Sequence, residues 1–149
     1  MIKKILIIIV LFLTSCGYEV LYKENKTNEL SFKKIELSGN IDANRRLISA
    51  LSIKENNQNY LYDKLILNSK KSIVETSKNS KGQVSSFRMS FEINVTFMQK
   101  SGELIKKVFS EDFVYNNLDN KYDLNELERE IENNLLDKII DKFILYIHL

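Results

Sequence analysis

An α+β fold, two helices packed on one face of a four-stranded and mostly antiparallel sheet, is the architecture this sequence predicts. Three observations lead there. Phe87, Met89, Phe91, Ile93, Val95 and Phe97 alternate with Arg88, Ser90, Glu92, Asn94 and Thr96, a period of two that demands a half-buried strand of about ten residues. Near the end of the chain, Leu127, Ile131, Leu135, Ile139, Phe143 and Ile147 recur at four-residue intervals, with Leu136, Ile140 and Ile144 beside them. That is a broad apolar stripe on one long helix. Finally, polar turn segments containing Gly82 and Gly102 separate the central strand from its neighbours at hairpin spacing. Strands with helices gathered on one face make an α+β sandwich, here in the order β-α-β-β-β-α.

The elements follow in order. Residues 30–37 are short and β-compatible, with Leu30 and Phe32 on one phase and Ile35 and Leu37 on the other; Gly39-Asn40 breaks the run. Leu47, Ile48 and Leu51 at helical spacing predict a first helix from Asp42 to about Asn56, capped by Asn40 or Asp42. Residues 60–76 carry apolar side chains in mixed phase, which predicts a strand with a bend or bulge inside it. Residues 77–83 form a polar hairpin loop, the alternating strand follows, and residues 99–102 turn the chain into a further strand over 104–115. These three strands make an antiparallel meander. Asp123, with Glu126 three residues on, supplies a capping box for the terminal helix.

Composition narrows the function. The 149 residues contain one Cys, one His and four Gly. Such a set leaves no disulfide, no His-rich zinc site, no Gly-rich phosphate loop and no Ser-His-Asp arrangement. His148, next to last, reads as a surface or partly packed side chain, and the acidic pairs Glu111-Asp112 and Glu130-Glu132 read as solvated faces. An enzyme is therefore not expected, nor a bound metal or cofactor. A net charge of +2 is far from the basic balance of a nucleic-acid binder.

The single Cys is informative through its place. Lys3 and Lys4 precede nine apolar residues, 5–13, and Thr14-Ser15 lead to Cys16. A basic start, a short apolar run and small residues before a cut site describe a secretory signal. Nine helical residues span roughly 13 Å, too little to cross a bilayer. Residues 1–15 are thus read as a cleaved signal, residues 16–29 as a polar tether, and residues 30–149 as a single α+β domain. Loss of Lys3 and Lys4 takes the 22 basic residues to 20, equal to the 20 acidic ones. Residues 16–111 then hold 16 basic and 11 acidic side chains, and residues 112–149 hold 4 and 9. An acidic outer face on the terminal helix and a more basic remainder are expected.

Leu13-Thr14-Ser15-Cys16 resembles the lipobox of bacterial lipoproteins, in which the Cys thiol takes a diacylglycerol and, after cleavage, the new amino group an N-acyl chain. Cys16-Gly17-Tyr18-Glu19-Val20-Leu21-Tyr22 in turn looks like the opening common in the lipopolysaccharide (LPS)-assembly lipoprotein (LptE) family of alphaproteobacteria, with Val20 where that opening has Pro. The run Phe113-Val114-Tyr115-Asn116, then Asp119-Asn120 and Asp123 before a long terminal helix, resembles the same family, as do the hairpin with Gly82 and the alternating strand. The resemblance covers essentially the whole chain after the signal. It implies an outer-membrane lipoprotein, held on the periplasmic side by Cys16, that plugs a large LptD-type β-barrel and helps it assemble and insert lipopolysaccharide into the outer leaflet. In this family basic residues are implicated in binding lipopolysaccharide; by charge and location Lys78, Lys81 and Arg88 are the candidates here. The competing reading is a lipid-anchored adaptor of another envelope assembly complex.

Overall fold

The structure is a computed structural model that describes residues 30–148. The predicted signal, Cys16 and the tether lie outside the described residues, as does the side chain of His148. Strand β1 (Ser31–Gly39) leads into helix α1 (Ile41–Ala50), then come strands β2 (Lys54–Glu55), β3 (Tyr62–Lys78), β4 (Val84–Met98) and β5 (Leu104–Asn116), and finally helix α2 (Lys121–His148). The sheet runs β2-β1-β3-β4-β5. β1 is parallel to both neighbours, and β3, β4 and β5 are the expected antiparallel meander. The fold is therefore α+β with a mostly antiparallel sheet, but of five strands rather than four.

The fifth strand exists because α1 stops earlier than its apolar spacing suggests. Leu51 caps the helix and Ser52 takes a left-handed φ of 51°. Ser52 N–H donates to the Ser49 carbonyl, and Ile53 N–H donates back to Ile48 at 3.0 Å. These two bonds make a Schellman motif, which reverses the chain. Ile53 is thereby buried, and Lys54-Glu55 is laid along the start of β1. At the other end of α1, Asn40 is the N-cap, its Oδ1 accepting from Ala43 N–H at 3.1 Å.

Along β4 the predicted alternation is realised. Met89, Phe91, Ile93, Val95 and Phe97 are buried beneath the helices, with Arg88, Ser90, Glu92, Asn94 and Thr96 on the opposite face. From α2, Ile131, Leu135, Leu136, Ile139, Ile140 and Phe143 meet them. The core continues at one end as a run of rings: Phe32 on Tyr62 at 5.4 Å, Tyr62 on Phe97 at 5.4 Å, Phe97 on Phe143 at 6.1 Å and Phe143 on Phe109 at 5.1 Å. Such offset and edge contacts add to the stabilisation from burial alone. Leu30, Phe32, Ile35 and Leu37 all reach the core, so both phases of β1 are used.

One local expectation, the bulge in β3, is met only at the end of its range, and another is corrected. β3 keeps regular register from Lys64 to Glu75, and its irregularities fall at Glu75/Ser77 and Ser77/Lys78, beside the hairpin. Its mixed phase has another cause: Ile73 and Val74 point to opposite faces, yet both are exposed, because the helices cover little of the sheet there. Helix α2 begins at Lys121, and the side chain that accepts from its first turn is Asn120, Oδ1 to Tyr122 N–H at 2.9 Å, rather than Asp123. Asn is as good an N-cap as Asp, and here it stands one turn earlier.

Ion pairs tie the layers together. Arg46 of α1 meets Asp137 at 2.6 Å and Asn133 at 2.8 Å on α2. Lys71 of β3 meets Glu132 at 2.8 Å, and Glu111 of β5 meets Lys142. The acidic excess of α2 is thus partly spent on the sheet and on α1, which revises the expectation of a simply acidic outer face.

Candidate functional site

The β3–β4 hairpin carries the three cations singled out by sequence. Its turn is built by Asn79, whose Oδ1 accepts from the N–H groups of Lys81 and Gln83 at 2.9 and 3.0 Å, while Gly82 N–H donates to the Asn79 carbonyl. Gly82 has φ +78°, as the third position of such a loop requires. Lys81 sits at the tip, exposed and without an ion pair among the described residues. Lys78 ends β3 and lies 3.6 Å from Glu75.

Arg88 is placed differently. It stands four residues along β4 from Val84, the partner of Lys78, which is about 14 Å of strand. Its guanidinium reaches Asp112 at 3.7 Å, and its strand neighbours on the same face are Val74 and Val114, each about half exposed. The three cations therefore do not converge on one pocket. They line one end of the sheet, where Phe113 is also 48% exposed. Hydroxyls crowd the same hairpin: Ser77 Oγ is 2.6 Å from those of both Ser85 and Ser86, and Thr76 is 2.7 Å from Ser86. Chemically this end offers cations beside bare apolar side chains, a combination suited to an anionic amphiphile.

The opposite end holds a feature that sequence reasoning missed. Tyr60, before β3, lies under two ammonium groups, Lys100 at 4.5 Å and Lys33 at 5.8 Å from the ring centre. Beside them is an open groove of about 400 Å³ lined by Lys33, Lys34, Glu55, Asp63, Lys64 and Met98. Glu36 pairs with Lys64 and Lys34, each at 3.0 Å. Those hydrogen bonds, Lys64's first, hold its carboxyl below the ordinary carboxylate range. Positions 33, 60 and 100 share no sequence pattern, and only the pairing of β1, β3 and β4 brings them together.

One buried titratable group belongs to the packing. Tyr115 donates to Glu128 Oε1 at 2.7 Å, and burial, then that bond, pushes its phenol well above the usual value. Among the described residues no group of three or more His, Cys, Asp or Glu is placed to hold a metal ion, and no helix is long and apolar enough to cross a membrane.

With this geometry in hand, solved structures provide the comparison. Rare lipoprotein B of Shewanella oneidensis superposes with a TM-score of 0.51 at 12% identity, covering 76% of this chain and 95% of that one. A minor lipoprotein of Acinetobacter baumannii gives 0.55 at 14% identity, over 79% and 90%. Lipoprotein B of Nitrosomonas europaea gives 0.56 at 11% identity, over 77% and 81%. The chain shares the fold of these lipoproteins. At such identities the likeness is one of fold, and no family model and no curated protein matches the sequence.

Proposed function

We propose that this chain is an outer-membrane lipoprotein of the LPS-assembly type, anchored through acyl chains on Cys16, that acts as plug and assembly partner of an LptD-type β-barrel. The observation that carries the reading is the fold shared with bacterial lipoproteins, in a chain whose one Cys ends a signal-like segment. The motif resemblance to the alphaproteobacterial LptE family narrows it to lipopolysaccharide insertion. The partners are then the barrel and lipopolysaccharide, the site is the periplasmic side of the outer membrane, and the work is binding and positioning rather than catalysis. No cofactor is needed beyond the diacylglycerol and N-acyl chain, the latter typically palmitate. Several acyl chains, at about 0.8 kcal/mol per buried methylene, hold such a protein on its membrane almost permanently.

The hairpin end supports the lipid side of this reading. Lys81, Lys78 and Arg88 supply charge for lipid A phosphates, and Val74 and Val114, beside Arg88 on the outer face, supply bare apolar surface for acyl chains. Two experiments test it. Cys16→Ser should abolish incorporation of labelled fatty acid, and retained label refutes the anchor. Charge reversal at Lys78, Lys81 and Arg88 should weaken lipopolysaccharide binding roughly tenfold or more with the fold intact; unchanged binding by all three variants removes them from the site.

A further inference from the structure

The end of the sheet opposite the hairpin has no role in that reading. It is where residue 30 enters the fold, and three separate segments meet there. Lys54 N–H donates to the Leu30 carbonyl and Leu61 N–H to that of Ser31, so the β2–β3 connection lies against the start of β1. The β4–β5 turn joins them through Lys100, above Tyr60. With Lys33 on the same ring, the two ammonium nitrogens lie within about 10 Å of each other. Lys34 and Lys64 flank this pair from the outer face of β1 and β3, and Lys54 lies on β2. Leu61 and Leu104 expose more than half their surface at the same end.

Most of the charge here is compensated, but not that of the pair over Tyr60. Glu36 is paired with Lys34 and Lys64, and Glu55 Oε2 accepts from Ile35 N–H at 3.2 Å, whereas Lys33 and Lys100 make no ion pair among the described residues. Asp63 lines the groove and Glu103 follows the β4–β5 turn. Lysines, a tyrosine and bare leucines on one rim match the chemistry of a bilayer interface: ammonium groups meet anionic headgroups, while the aromatic and aliphatic side chains enter the headgroup boundary.

We infer that this end of the domain, centred on Lys33, Tyr60 and Lys100, rests directly on an anionic phospholipid surface. The inference builds on the anchoring of Cys16 proposed above, because the anchor decides which end faces the bilayer. Fourteen links join Cys16 to residue 30, a reach of at most roughly 50 Å. A tether that short keeps this end at high effective concentration over the membrane, so a weak electrostatic contact suffices to orient the domain. The hairpin, at the other end of β3 and β4, then points away from the lipid surface.

The test uses the chain from residue 16 with Cys16→Ser, so that no acyl chain contributes. It should sediment with phosphatidylcholine vesicles containing one-quarter phosphatidylglycerol, release as salt is raised, and ignore pure phosphatidylcholine vesicles. Lys33→Gln with Lys100→Gln should lower the partition coefficient about thirtyfold, and Lys70→Gln with Lys138→Gln, exposed lysines on β3 and α2 away from this end, should leave it unchanged. Failure to bind anionic vesicles, equal binding to neutral ones, or equal loss from the Lys70 and Lys138 pair overturns the inference. None of these outcomes touches the fatty-acid label, which alone decides the anchor.

Discussion

Gly39, Asn40 and Ser69 form the junction at which β1, β3 and both helices meet. Asn40 N–H donates to the Ser69 carbonyl at 3.3 Å, Ser69 Oγ donates to the Asn40 carbonyl at 2.9 Å, and Asn40 Nδ2 donates to Glu132 of α2 at 3.3 Å. Gly39 has φ +78°, and a Cβ there would lie 1.8 Å from the Ser69 carbonyl oxygen. Gly39→Ala should therefore cost more than about 3 kcal/mol, read as a fall in Tm of roughly 10 °C; a Tm within two or three degrees of the parent contradicts the close approach. Ser52 is the converse case, a non-glycine in the left-handed region, and Ser52→Gly should stabilise by about 0.5–1 kcal/mol in the same measurement. Gly39-Asn40 was legible in the sequence as a breaker and cap. Ser52 was not, because serine carries no signal for a left-handed residue and Ile53 looks like a continuation of the helical stripe.

Among the elements, β4 has the most legible pattern and is the most central. Phe91 is fully buried, and its partners across the sheet on the same face are Lys71 and Glu111, each paired with a side chain of α2. The apolar contact is thus flanked by charges that fix where the helix lies on the sheet. Phe91→Asp should place an unpaired carboxylate under α2 and unfold the domain, whereas Phe91→Leu should cost only about 1–2 kcal/mol. Circular dichroism of both variants separates these outcomes; a folded Asp variant contradicts the burial. β2 was invisible because Lys54-Glu55 has no apolar residue, and it is held by backbone pairing with β1 and by Glu55 Oε2 accepting from Ile35 N–H. The mixed phase of β3 misled for a related reason: where few helical side chains cover the sheet, hydrophobic alternation no longer reports which face is inward.

For the whole molecule, the charge division along the chain is the property that sequence conveyed least completely. Counting could show the acidic surplus of the last segment, but only the fold shows Glu132, Asp137 and Glu128 turned toward Lys71, Arg46 and Tyr115. The last of these contacts sets a pH dependence. Because the folded state holds the Tyr115 phenol protonated above its ordinary value near 10, the unfolded chain releases that proton first as pH rises. Stability from this group is complete below pH 10 and declines above it. Denaturant midpoints between pH 9 and 11 should fall for the parent and fall less steeply for Tyr115→Phe; parallel curves would show that the phenol does not contribute. At the same scale, the reading proposed above makes this a binding protein, and what it holds by that reading is a β-barrel. The most direct measurement is mild-detergent co-purification of the lipidated protein from its native envelope, with every captured protein identified. An LptD-type outer-membrane barrel in stoichiometric amount is the predicted result; a different barrel, or a peptidoglycan-bound partner in its place, would contradict it.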